Sequence, residues 1–331
     1  MSPKRKRLAL CLVVATTAIV LVTVSFSSPV PDPLYEGKKL SEWMDALAAQ
    51  KPSRFDEAVR ALGTNALPCV VRNLAWNDSR LRQKYGDLRA KLPQTIQNLL
   101  PKPKPLLQRV HGANTFHYIG TNSLPAAIAL LRHPSSTVRE SAAWGISSLR
   151  RQSMVADQAI PALTAALDDE EFGVRFQAVS AFQEIGAAGS NAVPAITKIL
   201  VSTAQSDSYT GAAAARALGK IGPPAESALP ALKAALLSPN SYLRGHAAVA
   251  IWRVSGDVET ALPVLLLEIP NESEHSKWDW IIALGEMGPQ AKAAVPQLKR
   301  ELANDKEPWV LNYVTNALRK IDPQGFEKPP K

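Results

Sequence analysis

The side chains able to do chemistry are few and scattered. Five histidines stand at His111, His117, His133, His246 and His275, none in an HExxH arrangement and none followed by glutamate. His111 and His117 are six residues apart, which puts them on different faces of a helix rather than on one metal. Each histidine therefore reads as a hydrogen-bonded or exposed side chain. Of the two cysteines, Cys69 lies in the apolar run LPCVV with nothing beside it in sequence to lower its pKa, and reads as a buried structural thiol. Cys11 has only Leu8 to Leu10 as an apolar stretch before it, too short for a lipidation signal. Asp168-Asp169-Glu170-Glu171 gathers four carboxylates, but just ahead of a helical pattern, where acids cap the helix that follows. No GxSxG, GxxxxGK or GxGxxG is present. These residues point to no metal, no cofactor and no catalytic nucleophile, and an enzyme is not expected.

The elements that would hold any site come from a repeat. A small-apolar-Pro motif recurs as Ala66-Leu67-Pro68, Ser123-Leu124-Pro125, Ala159-Ile160-Pro161, Ala192-Val193-Pro194, Ala228-Leu229-Pro230, Ala261-Leu262-Pro263 and Ala294-Val295-Pro296. From Pro125 onward the prolines are 36, 33, 36, 33 and 33 residues apart. A second pattern alternates with it, opening at Val138, Val174, Thr210, Leu243, Ser276 and Val310. Within it, Val174, Ala178, Phe182 and Ile185 fall on one helical face. Gly186, Gly222 and Gly288 suit the residue that ends a helix in a left-handed conformation. The proline suits the first turn of the next helix, where its missing N–H costs nothing. Each period is thus helix, tight turn, helix, and such a hairpin buries both its faces only by stacking on its neighbours.

ALGKIG at 217–222, ALGEMG at 283–288, ALPAL at 228–232 and AVPAI at 192–196 resemble the helix ends of bacterial HEAT repeats of the phycobilisome-lyase type. The resemblance spans about residues 55–322 and implies an all-α fold, a right-handed α-solenoid of about seven to eight HEAT-like hairpins. The segment from Tyr35 to Trp43 also resembles the entry helix of exported bacterial HEAT proteins. HEAT-type deoxyhypusine hydroxylases hold iron with repeated His-Glu pairs, whereas this chain has Glu274-His275 once and in the reverse order. Arg150 and Asp322 stand where other repeats close on glycine, and Pro270 shortens one second helix. In this family the second helices line the concave side. The residue three past each proline (Thr164, Thr197, Lys233, Leu266, Lys299) would then form a ladder there, with Thr164, Thr197, Lys233 and Lys299 as candidate partner-binding residues.

The formal net charge of +9 in 331 residues is unevenly placed. Lys4 to Arg7 is a block of four cations, and residues 80–109 hold eight basic side chains against one acid. Arg80, Arg82, Lys84, Arg89, Lys91, Lys102 and Lys104 form a candidate anionic-ligand patch for lipid headgroups or envelope polymer. Nucleic acid is disfavoured by export, and, Tyr85 apart, base-stacking aromatics do not interleave with the charges. The seven tryptophans occupy different phases of the repeat, so some are expected on the surface as interface anchors.

Residues 8–26 carry no charge over nineteen positions, about 28 Å as a helix, close to the thickness of a bilayer core. The expected organisation is a cytoplasmic basic segment 1–7, a transmembrane anchor or signal helix 8–26, and a Pro-rich spacer 27–39. A solenoid 40–322 follows, interrupted by a basic insertion 76–105, and then a disordered tail 323–331. With the basic block inside, the body is exported; cleavage near Ser25-Phe26-Ser27 would make it secreted. The functional expectation is a non-catalytic, membrane-tethered scaffold that binds a protein partner. Binding of envelope polymer or anionic lipid through 80–109 is the alternative. A lyase-type enzyme ranks last, because a shared repeat does not carry an activity.

Overall fold

The computed structural model describes residues 30–51, 53–77, 80–98, 109–149, 153–203, 208–271, 274–304 and 307–325. The uncharged run 8–26, Lys102, Lys104 and residues 326–331 lie outside these segments, as do the calls made on them. The described chain is helical but for a two-stranded ribbon, β1 (Leu34–Tyr35) paired antiparallel with β2 (Lys38–Lys39). It divides into two compact units, Met1–Gly145 and Ile146–Lys331.

Unit 1 holds α1 (Leu40–Ala48), α2 (Phe55–Leu62), α3 (Leu67–Asn77), α4 (Arg80–Ala90), α5 (Gln94–Gln97), α6 (Arg109–Ile119) and α7 (Leu124–Leu130). The boundary falls inside α8 (Ser136–Ser148). Leu40, Met44, Phe55, Val59, Val70 and Leu74 form the core of this unit's first half. Of the expected spacer 27–39, residues 30–39 lie folded against the unit. The Ser41 N–H and hydroxyl donate to Asp32 at 3.0 and 2.6 Å, and Trp43 Nε1 donates to the Tyr35 carbonyl at 3.4 Å. A proline-rich composition predicts extension, but these side-chain anchors and the ribbon hold the segment to α1.

Unit 2 continues with α9 (Ser153–Ala166), α10 (Phe172–Ile185), α11 (Val193–Thr203), α12 (Ser208–Ile221), α13 (Leu229–Ala235), α14 (Ser241–Ser255), α15 (Val258–Glu268), α16 (Glu274–Met287), α17 (Val295–Asn304) and α18 (Pro308–Ile321). The hairpin logic is visible in each repeat. Val174, Ala178 and Phe182 of α10 are buried and Ile185 half-buried. Gly186, Gly222 and Gly288 take φ of 63°, 76° and 63°, a conformation open to glycine without steric cost. A short 3₁₀ stretch then carries the chain to the second helix. The small residue of the small-apolar-Pro motif is fully buried in all seven copies: Ala66, Ser123, Ala159, Ala192, Ala228, Ala261 and Ala294. That is why the position admits only a small side chain, and why serine there must bond inward, donating to the Phe116 and Gly120 carbonyls.

Two repeats depart from the expected helix start. Pro161 and Pro263 lie inside α9 and α15 rather than in their first turns. In α15 the reason is Asp257, whose carboxylate accepts from the Thr260 N–H at 2.9 Å and caps the helix six residues ahead of the proline. The carboxylate run also behaves differently from expectation. Glu171 stands at the N-cap of α10 without a side-chain cap; Asp168 pairs with Lys198, and Asp169 Oδ1 accepts from the Glu171 N–H. The junction is held from the other side. Arg175 Nη1 donates to the Asp169 and Glu170 carbonyls, as Arg139 does to His133 and Pro134 and Arg244 to Ser238. In these three repeats an arginine thus satisfies carbonyls left open where the preceding helix ends.

Candidate functional site

The predicted ladder sits on the second helices of unit 2. Thr164 and Thr197 are half-buried, and their hydroxyls donate back into their own helices, to Ile160 O at 2.8 Å and Val193 O at 2.7 Å. Lys233 is exposed, its Nζ 3.9 Å from Asp257 Oδ2, and Lys299 is exposed as well. Leu266 is half-buried against the core. The ladder is therefore not one uniform polar stripe. One helical turn beyond it, seven residues past Pro194 and Pro230, stand Val201 and Leu237, 63% and 86% exposed. Tyr209, 69% exposed, opens the following helix and packs its ring 5.6 Å from that of Tyr242. Phe172 is exposed at the corresponding end of α10. Sequence reading missed these residues because each is a single apolar side chain at a helix end, Val201 in the last turn of α11, Leu237 just past α13, and Tyr209 and Phe172 in the first turns of α12 and α10; the signal is an apolar residue seven past Pro194 and Pro230.

A second constellation is buried at the joint of α14 with α16. Aligning the repeats by their period places His246 and Asp279 at one position, 33 residues apart. His246 Nδ1 is 3.6 Å from Asp279 Oδ2, which also faces Arg216 Nε at 3.5 Å, while Arg253 Nη2 is 3.9 Å from Asp279 Oδ1 and 3.2 Å from Glu286. Neither ring nitrogen of His246 has a hydrogen-bond partner, so the expectation of a hydrogen-bonded or exposed histidine fails here. Burial first, then Arg216, pushes its pKa down to about 3 against the opposing pull of Asp279, so the imidazole is neutral.

Side-chain volume explains why a polar cluster collects at this joint. Where α12 meets α14, Gly219 lies so close that a Cβ there would stand 3.0 Å from Ala250 Cα; Gly285 stands the same way to Ala317, at 2.9 Å. The matching position in α14 is Trp252, and α16 carries Trp280 where α12 and α14 carry Ala214 and Ala247. Trp280 is fully buried, wedged over Gly245, where a Cβ would meet its ring at 2.1 Å. Of the tryptophans, some of which were expected on the surface, Trp280 is buried and Trp43, Trp144, Trp252 and Trp278 are half-buried, while the side chains of Trp76 and Trp309 lie outside the described set.

The remaining candidates are in unit 1. Arg80 and Arg82 lie in α4, with side chains outside the described set; Lys84 and Lys91 are exposed; Arg89 is half-buried and donates to the Gln97 carbonyl at 3.0 Å. Cys69 is buried beside Asp32, at 3.5 Å, and burial followed by that carboxylate pushes its thiol up to about 12. Among the described residues, no group of three or more His, Cys, Asp or Glu is placed to hold a metal ion, and no helix is long and apolar enough to cross a membrane.

Comparison with known proteins bears on the fold. The complex of CpcE and CpcF of phycocyanin lyase from Nostoc sp. PCC7120 is similar, with 20% identity over 70% of this chain and 90% of that one and a TM-score of 0.48. An engineered protein is 17% identical over 84% of this chain and 83% of its own, with a TM-score of 0.43. A second engineered protein is 18% identical over 74% and 98%, with a TM-score of 0.35. No curated protein matches the chain. A family model described as HEAT repeats matches residues 124–206 and 160–252, overlapping segments that run from α7 into α14. That stretch of the chain is built of HEAT repeats.

Proposed function

We propose that the chain is a non-catalytic interaction scaffold whose body is exported and tethered to the membrane by residues 8–26, and that a protein partner binds the second-helix face of unit 2. One observation carries the reading: Val201 and Leu237 stand exposed at equivalent positions of two successive repeats, one turn from Thr197 and Lys233. Exposed apolar side chains that recur with the repeat cost solubility in each copy, and a partner that covers them removes the cost. HEAT hairpins stack into extended surfaces, which suits an elongated apolar segment better than a small molecule. Exposed Glu171 next to Phe172 favours a partner segment with a basic rim. Tethering is supported by the four cations preceding an uncharged run of nineteen residues.

The test is capture of partners by the full-length chain from its own cells, with and without Val201→Asp plus Leu237→Asp. Both sites are exposed, so the variant keeps its thermal transition. Loss of a partner that the wild-type chain retains supports the proposal, and undiminished capture contradicts it. Lys233→Glu plus Lys299→Glu tests the ladder separately.

A further inference from the structure

We infer that α4 and α5 form a second membrane contact, in which Lys84, Leu88 and Lys91 lie on anionic phospholipid headgroups beside the point where the chain leaves the bilayer. The inference rests on the tether proposed above and adds a surface to it. Lys84 and Leu88 stand one turn apart on α4 and Lys91 follows just past its end; all three are exposed, Leu88 at 56%, with the one acid of the segment, Asp87, exposed among them. Arg80 occupies the position one turn before Lys84. The adjoining side, about 100° round the helix, carries Tyr85 and Arg89, which are half-buried, as is Leu92 just past the helix end.

Arg89 fixes how the segment is presented. Its Nη2 donates to the Gln97 carbonyl at 3.0 Å, and Gln97 Nε2 donates to the Leu92 carbonyl at 2.8 Å. These bonds lock the turn between α4 and α5, where Ile96 is also exposed, at 37%. Leucine between two lysines, an isoleucine on the adjoining turn and an excess of cations over the single acid Asp87 suit a contact led by charge, with only slight apolar insertion. The ammonium groups reach headgroups while the apolar side chain enters the boundary.

Covalent geometry places this element near the anchor. Asp32 is six residues past Phe26, the last residue of the uncharged run, a reach of at most about 20 Å. Cys69 in α3 touches Asp32 at 3.5 Å, and α3 rises about 12 Å from there to its end at Asn77. Three further residues reach Arg80, so α4 begins within roughly 25 Å of Asp32. A surface held that close to a bilayer meets it at high effective concentration, so a weak intrinsic affinity suffices.

The experiment reconstitutes the full-length chain carrying Leu88→Cys, with Cys11→Ala to remove the other accessible thiol, labelled with an environment-sensitive fluorophore. Cys69 is buried and stays unlabelled. The vesicles are phosphatidylcholine alone or phosphatidylcholine with about a third phosphatidylglycerol, an anionic share high enough to draw a polybasic segment. Flotation with both compositions reads the anchor. The expected result is a blue shift and a several-fold loss of access to an aqueous quencher at position 88 with the anionic vesicles only, reversed by Lys84→Glu plus Lys91→Glu and by high salt. A label at Ser227 in unit 2 stays accessible throughout. If the chain floats with both but position 88 stays open to quencher, the second contact is overturned and the tether stands. If the chain floats only with anionic vesicles and position 88 is shielded, the tether fails and the contact stands. Shielding by peptidoglycan sacculi but not by anionic vesicles overturns the lipid assignment in favour of polymer.

Discussion

His246 and Asp279 occupy the same repeat position on α14 and α16, and His246 Nδ1 lies 3.6 Å from Asp279 Oδ2 with Arg216 and Arg253 closing on the same carboxylate. The neutral, buried imidazole makes stability depend on pH. The folded-state pKa of about 3 is below the unfolded value near 6.5, so the unfolded chain binds the extra proton between them. Stability is therefore full above about pH 6.5 and falls as pH drops toward 3, by about 1 kcal/mol per unit at most. Urea unfolding at pH 7.5 and 5 measures the loss. His246→Gln abolishes most of the slope over this range, and an unchanged slope contradicts the assignment.

Asp279 answers two arginines at once. Asp279→Asn takes the carboxylate from Arg216 while Arg253 keeps Glu286, a defect of about 1–3 kcal/mol at the joint. Thermal unfolding of the variant reads it. A loss comparable to that of an exposed carboxylate such as Glu226 shows that the cluster does not hold the joint.

The wedge is tested by size. Gly245→Ala sets a methyl group against the Trp280 ring and costs about 2 kcal/mol, while Trp280→Ala empties the same space and costs about 4 kcal/mol. Gly285→Ala, against the Ala317 backbone, costs about 1–3 kcal/mol. Combining Gly245→Ala with Trp280→Ala costs less than the sum of the two, since the methyl group then has nothing to strike.

An ion pair recurs with the period. Arg244 binds Glu268 in a two-bonded fork at 2.5 and 2.9 Å, and 33 residues on, Lys277 meets Glu301 at 2.8 Å. Glu268 is fully buried, so Glu268→Ala strands the guanidinium and costs about 3 kcal/mol, whereas Arg244→Met with Glu268→Leu comes near neutral. Chemical denaturation of the single and double variants checks the order.

Cys69 is inert in the folded chain. With its thiol pushed up to about 12, it resists a thiol-specific reagent at pH 8 and reacts only on unfolding, and rapid labelling of the folded form contradicts that.

Much of the fold was legible because backbone rules repeat. The closing glycines, the buried small residue before each apolar-Pro pair and the face of Val174, Ala178 and Phe182 follow from geometry that every copy obeys. The cluster was not, although its members were in plain view. His246 and Asp279 share a phase that appears only when neighbouring repeats are laid side by side, and a single histidine in isolation says nothing of the carboxylate one step away. The burial of Trp280 was not legible for the same reason: it depends on Gly245 in another helix. Residues 30–39 escaped because composition speaks of prolines and is silent on Asp32 reaching Ser41. Pro161 and Pro263 are the ninth and sixth residues of their helices rather than first-turn residues, and for Pro263 the reason is that the Asp257 cap starts the helix ahead of it.

The central claim is that the second-helix face of unit 2 engages a protein. Site-specific photo-crosslinking from position 237 of the full-length chain in living cells tests it most directly, with position 220 on α12 as the comparison. The account predicts a discrete protein adduct from 237 that is lost with Val201→Asp and absent from 220. No adduct from 237, or the same adducts from both positions, contradicts it.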